Sequence, residues 1–244
     1  MEKARFILVH GGFIGAWCWR KVTPLIEARG HVVLTPDLPG HGQDRTPPGD
    51  ITLDAYTDRL TGIIDDIEGP LILVAHSGSG VAVSQAADRR SDRVERLVYV
   101  SGLLLRNGQV DLQISSEDRE SMLGQSVVLS DDKTCLTLKE ETLRDVLMAD
   151  CSAEDIEFAR TRLAPEPLKP ALTPMAVSEE RFSRIPKTYI ECLEDRAITP
   201  YLQRKMYRST SCQKVLSLNS SHSPFFSVPD ELAAHLLTSV SLHP

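Results

Sequence analysis

Short, continuous apolar runs and stretches of helical periodicity take turns along the first hundred residues. Residues 4–9, His31-Val32-Val33-Leu34-Thr35, Leu71-Ile72-Leu73-Val74-Ala75 and residues 94–100 are each a handful of mostly apolar residues, the third opened by the turn former Gly69-Pro70. Runs of this kind predict strands, and the third, continuous and apolar, suits a strand buried on both faces, as in the middle of a parallel sheet. Between them, residues 17–28 predict a helix ended by Gly30. Another is predicted at about 53–67, where Leu53, Tyr56, Leu60, Ile63, Ile64 and Ile67 recur at helical spacing. Repeated strand–helix alternation predicts an α/β fold with a mostly parallel central sheet and helices on both faces.

The rhythm breaks at Gly102. From there to about Pro186 the chain is richer in acids, with helix-like stretches near 138–149 and 153–162, the second capped by Ser152. Pro165, Pro167, Pro170 and Pro174 then forbid a long helix. A structureless loop of that length is implausible, so residues 104–185 are expected to form a helical lid inserted into one domain whose core is 1–103 and 186–244. Strand patterns resume at Lys187–Leu193 and Gln213–Leu218. The chain shows neither internal repeats nor low-complexity tracts.

The chemistry concentrates where strands end. Residues 74–80 read Val-Ala-His-Ser-Gly-Ser-Gly, between an apolar strand and a helix rich in small residues. That is the layout of a nucleophile elbow, a tight strand-to-helix turn that lifts one serine into the open and demands small residues two before and two after it. Ser77, flanked by Ala75 and Ser79, meets that demand. Ser79 as nucleophile would place the β-branched Val81 at a position that must be small. The plain alternative is a Gly/Ser turn without chemistry, so the motif needs partners elsewhere.

In this chain order an acid should follow a later strand and a histidine should lie near the C-terminus. Glu194-Asp195 follows the strand at 187–193, and His222 follows the strand at 213–218. Catalytic groups of α/β sheets gather at the carboxyl ends of the strands, where Ser77, Asp195 and His222 would all emerge, with Glu194 the fallback acid. His10-Gly11-Gly12 follows the first strand. Its glycines let backbone approach a ligand closely, making the Gly12 N–H a natural oxyanion donor beside that of Gly78.

Composition narrows the alternatives. The 244 residues are 41% hydrophobic and 25% charged, as expected of one globular domain. A formal net charge of −7 and no Lys/Arg run argue against nucleic acid as a partner. The five cysteines (18, 135, 151, 192 and 212) are odd in number and scattered. The apolar run near the start is far too short for a signal peptide, and no segment approaches the length of a membrane span. These features point to the cytoplasm. No histidine pair or cysteine pair has metal-ligand spacing, so no metal is expected.

With these residues in view, the chain resembles the α/β-hydrolase superfamily along nearly its whole length, and within it the branch of plant methylesterases, hydroxynitrile lyases and similar bacterial esterases. The resemblance is carried by His10-Gly11-Gly12, Gly15-Ala16-Trp17-Cys18-Trp19, Asp37-Leu38-Pro39-Gly40-His41-Gly42 and Ala75-His76-Ser77-Gly78-Ser79. It continues in Cys151-Ser152-Ala153-Glu154-Asp155, Glu180-Arg181-Phe182, Glu194-Asp195 and His222. It implies a Ser77–His222–Asp195 triad, an oxyanion hole from Gly12 and Gly78, and no cofactor.

The chain departs from that pattern at Ser79, where glycine is common, and at Ser221, where Gly or Asp is common. Gly11 and Ser223 stand where the lyases carry threonine and lysine, which disfavours cyanohydrin cleavage. Hydrolysis of a small carboxylic ester is the leading expectation. Thioester, lactone or C–C bond cleavage on the same triad, or a slow-turnover small-molecule receptor, are the alternatives. Phe13, Leu103 and Met175 are candidate pocket residues, and the sequence leaves a homodimer open.

Overall fold

A computed structural model of the chain describes residues 3–238 and 240. Among them, six parallel strands form one sheet: β1 (Arg5–Val9), β2 (Val32–Leu34), β3 (Leu71–His76), β4 (Val94–Val100), and, after a long intervening segment, β8 (Lys187–Cys192) and β9 (Lys214–Leu218). Every residue of β3 and β8 is buried; β3 reads as an almost wholly apolar run, whereas β8 buries Lys187, Thr188 and Glu191 as well. The strand order is β2-β1-β3-β4-β8-β9. The chain therefore runs outward from β1 to β2 and then re-enters on the other side of β1 as β3. Connections that leave in opposite directions open a crevice at the carboxyl ends of β1 and β3.

Two cores cover the two faces of this sheet. Helices α2 (Leu53–Asp65) and α3 (Gly80–Arg89) pack on one face around Ile7, Leu73, Tyr99 and Tyr189. On the other, Trp19, Ile26, Phe225 and Leu232 surround Phe6, Leu8, Val74 and Val98. The helix expected over 17–28 divides into a 3-10 turn at Ala16–Lys21 and the short α1 (Thr23–Glu27). Pro24 has no N–H to continue the first turn, but it suits the opening turn of the second.

The segment between β4 and β8 corrects the expectation of a helical lid. It holds the short helices α4 (Asp111–Ser115), α5 (Leu143–Leu147), α6 (Ala153–Arg160), α7 (Leu168–Leu172) and α8 (Glu179–Arg184), together with a three-stranded antiparallel sheet. That sheet pairs β5 (Val127–Leu129) with β6 (Cys135–Leu138), and β6 with β7 (Glu166–Pro167). The turn Ser130–Lys133 explains the hairpin: Lys133 takes the left-handed φ of 58°, and the Ser130 hydroxyl and Asp132 carboxylate accept the Thr134 N–H. In α6, Ser152 caps the Asp155 N–H at 3.1 Å, as its sequence position predicts. Asp155, almost fully buried, then pairs with Arg20 and Lys21 and ties the segment to the first helical turn of the core.

Candidate active site

The chain passes from β3 into α3 across Ser77–Ser79. Ser77 sits at the crest with φ 54°, a left-handed conformation that costs an L-residue on the order of 1–2 kcal/mol. Its surroundings over-determine that geometry. A Cβ at Gly11 would lie 2.7 Å from both the Ser77 Cβ and the His76 Nδ1, so β1 can approach the elbow only with glycine there. A Cβ at Gly80 would collide with the Leu103 carbonyl, and the Leu103 N–H in turn donates to the Ser77 carbonyl at 2.9 Å. Ser79 is buried beneath the turn. Its hydroxyl accepts the His76 N–H at 3.2 Å and has the His76 carbonyl as its nearest acceptor at 2.8 Å. The residue that stands where glycine is common thus braces the elbow from inside.

His222, in the loop after β9, comes to the same edge. Its Nδ1–H donates to Asp195 Oδ2 at 2.6 Å, which leaves Nε2 to accept from the Ser77 hydroxyl at 3.0 Å. Asp195 is almost fully buried. Its Oδ1 accepts the N–H groups of Ala197 and Ile198 at 2.7 and 3.0 Å, and Ser101 donates its hydroxyl to Oδ2. Every acceptor position of an ionised carboxylate is therefore occupied. The fallback acid, Glu194, is exposed and points elsewhere.

Two further groups hold the histidine loop: His76, whose place beside the nucleophile suits a supporting residue, and Asp150, which carried no signal in the sequence. His76 donates Nε2–H to the His222 carbonyl at 2.8 Å, and its ring lies 4.6 Å from the His222 ring. Burial, reinforced by the proximity of His222, pushes the His76 pKa well below 6.5, so the ring is a neutral donor. Asp150 accepts the Ser221 N–H at 3.0 Å and also its hydroxyl, which gives the second departure, Ser221, a structural role.

Gly12 and Gly78 line the same cavity as Ser77. The Gly12 loop is fixed by His10, whose Nδ1–H donates to the Gly11 carbonyl at 2.8 Å while Nε2 accepts the Leu38 N–H at 3.0 Å. Burial, with His41 adding to it, lowers His10 to about 3, so this ring too is neutral.

Ser77 and His222 open into a cavity of about 370 Å³. Phe13 and Leu103 line it, as expected. Met175 does not. It is buried in the core beside α3, where its N–H donates to the Gln109 carbonyl and its carbonyl accepts the Gly108 N–H, both at 2.8 Å. Three cavity carboxylates went unseen in the sequence, Asp111 at the start of α4, Asp118 just after it and Glu166 in β7. Glu166 Oε2 accepts the Phe13 N–H at 3.1 Å and the His41 Nε2–H at 2.9 Å. Burial lowers the His41 pKa, but the Glu166 carboxylate outweighs it and the net shift is upward. Among the described residues, no group of three His, Cys, Asp or Glu side chains could hold a metal ion. No helix among them is long and apolar enough to cross a membrane.

Residues 6–235 match the model of the alpha/beta hydrolase family, and the chain belongs to that family. It is similar to putative methylesterase 14, chloroplastic, of Arabidopsis thaliana, with 30% identity over 96% of this chain and 71% of the relative. It is likewise similar to a pyrethroid hydrolase of Sphingobium wenxiniae, with 31% identity over 96% of this chain and 86% of that one. Among solved structures, a pyrethroid hydrolase from Sphingobium faniae superposes with a TM-score of 0.87 at 28% identity, covering 98% of both chains. The protein is an ester-cleaving hydrolase of the carboxylesterase class.

Proposed function

We propose that the protein hydrolyses a small carboxylic ester by way of an acyl-enzyme on Ser77. The observation that carries this reading is the unbroken chain of hydrogen bonds from Ser77 Oγ through His222 to Asp195, at 3.0 and 2.6 Å, with the serine end facing the cavity. As Ser77 Oγ attacks the carbonyl carbon, His222 Nε2 takes its proton, and Asp195 holds the tautomer and balances the imidazolium. The oxygen of the tetrahedral intermediate takes the charge and is held by the Gly12 and Gly78 N–H groups. Collapse of the intermediate expels the alcohol, which receives the proton from His222. Water, deprotonated by the same imidazole, then attacks the acyl-serine and releases the acid.

The segment 104–185 acts as the lid. It contributes Asp111, Leu136, Leu147 and Glu166 to the cavity and so shapes the substrate site. Cyanohydrin cleavage lacks the cation it would need, since no Lys or Arg lines the cavity and Ser223 follows His222. The five cysteines are free thiols, in keeping with a reducing, cytoplasmic setting. The test is turnover of short-chain nitrophenyl esters by wild type and Ser77→Ala. A fall of several orders of magnitude is expected, and near-normal activity in the variant would overturn the reading.

A further inference from the structure

The cavity has an unusual charge balance for a site that must stabilise an oxyanion. Its lining contains three carboxylates and no Lys or Arg. Asp118 is already engaged, accepting the Thr199 N–H and hydroxyl at 2.8 and 2.7 Å. Asp111 and Glu166 each keep one carboxylate oxygen without a donor among the described residues. Asp111 Oδ1 accepts the Ser115 hydroxyl at 2.8 Å, while Oδ2 has no hydrogen-bond donor among the described residues. Glu166 uses Oε2 for Phe13 and His41, and Oε1 accepts from no described residue.

Their placement matters more than their number. A Cβ built on Gly12 would lie 2.8 Å from Glu166 Oε2, and one built on Gly78 would lie 3.9 Å from Asp111 Oδ2. Each carboxylate therefore stands beside one of the two glycines assigned to the oxyanion hole. Negative charge developing between those N–H groups meets two acids across a poorly solvated gap, which opposes the reaction of a neutral ester. The protein itself supplies little relief. His10 is neutral, and the charge His41 can carry is directed at Glu166. Burial, with the Glu166 charge adding to it and the Ser115 bond opposing, raises Asp111 to about 7, as expected of an acid without a counter-ion. The remaining wall is largely apolar and includes the aromatic rings of Phe13 and Tyr56, which also favour a cation.

We infer that the cavity selects esters that carry a protonated amine or quaternary ammonium a few bonds from the scissile carbonyl, with Asp111 and Glu166 as the specificity-determining residues. The substrate's own cation then offsets the two acids and contributes to holding the oxyanion, whereas an ester bearing a second carboxylate is rejected by like charge. This inference rests on the ester-hydrolase reading. The cation can sit on the alcohol or on the acyl side, and the two are separable by experiment.

The test uses isosteric pairs that differ only in charge. Acetylcholine against 3,3-dimethylbutyl acetate probes the alcohol side, and betaine methyl ester against methyl 3,3-dimethylbutanoate probes the acyl side. In wild type, kcat/KM for the cationic member of at least one pair should exceed that of its neutral isostere by about tenfold or more. In Asp111→Asn and Glu166→Gln, the preference for the cationic member should shrink toward unity. Ratios near unity or below in both pairs overturn the inference, as does a preference unchanged in both variants. Calorimetric binding of choline against 3,3-dimethylbutan-1-ol separates the two levels. Tighter choline binding supports the inference even with no ester turned over, a result that would sink only the hydrolase reading. Turnover of nitrophenyl esters abolished by Ser77→Ala, with no preference for cations, would sink only the inference.

Discussion

Ser79→Gly restores the residue ordinarily found two positions after the nucleophile, and the structure predicts that the change is destabilising. The Ser79 hydroxyl is buried, accepts the His76 N–H at 3.2 Å and lies 2.8 Å from the His76 carbonyl. Ser79→Ala removes both bonds while keeping the Cβ. At about 0.5–1.5 kcal/mol per net hydrogen bond, with more where a buried partner is left unpaired, this should cost about 1–3 kcal/mol. Glycine adds about 0.5–1 kcal/mol for the extra freedom of the unfolded chain. For a chain of 244 residues, these losses lower Tm by roughly 3–16 °C in total. Urea denaturation and thermal melts of the three proteins read the series directly, and the order of stability should be Ser, Ala, Gly. Activity should fall by less than about tenfold, because the bonds from Ser77 to His222 and from His222 to Asp195 do not pass through residue 79. If both variants lay within about 0.5 kcal/mol of wild type, the claim that Ser79 braces the elbow would be wrong.

Three other perturbations probe separate parts of the account. Asp195→Asn should lower kcat by about 10⁴-fold, because the amide no longer enforces the His222 tautomer; steady-state kinetics would read it. Asp155 is held below its ordinary pKa although burial alone would raise it, because Lys21, Ser152 and Arg20 prevail. Its stabilising contribution is therefore present above the unfolded value of 3.8 and lost as pH falls through the depressed folded value. Denaturation as a function of pH should show Asp155→Asn less stable than wild type at neutral pH, with the gap closing in acid. Burial lowers Lys187 from 10.5 to about 8, and its ammonium donates to the Phe182 and Ile185 carbonyls. Because the folded state sheds this proton first, stability should rise between about pH 8 and 10.5, by up to the order of 3 kcal/mol, relative to Lys187→Met. A flat difference over that range would count against it.

The sheet was the most legible part of the chain: β1 and β3 are buried and almost wholly apolar, while β4 and β8 still read as strands although they carry Glu95, Arg96, Lys187 and Glu191. Ser77, Asp195 and His222 were legible for a related reason, since each follows a strand in the order an elbow requires. What escaped lies in the segment between β4 and β8, where short elements take their shape from tertiary contacts. Val127–Leu129 and Cys135–Leu138 are too short for periodicity to separate strand from helix. Glu166 and Asp111 carry no local signal, and they acquire meaning only when folding sets them beside Gly12 and Gly78. Met175, a candidate pocket residue, is instead held in the core by its backbone bonds to Gly108 and Gln109. The departures at Ser79 and Ser221 could be seen in the sequence, but their reasons could not. Each hydroxyl serves a partner that only the structure supplies.

The central claim is that Ser77, activated by His222, forms the covalent intermediate. Intact-protein and peptide mass spectrometry after brief exposure to a fluorophosphonate tests it most directly, with residual turnover of a nitrophenyl ester followed in the same samples. One adduct per chain, located on Ser77, should accumulate in step with loss of turnover, and it should be absent from Ser77→Ala and strongly slowed in His222→Ala. An adduct on another residue, or full ester turnover by protein whose Ser77 is completely modified, would contradict the account.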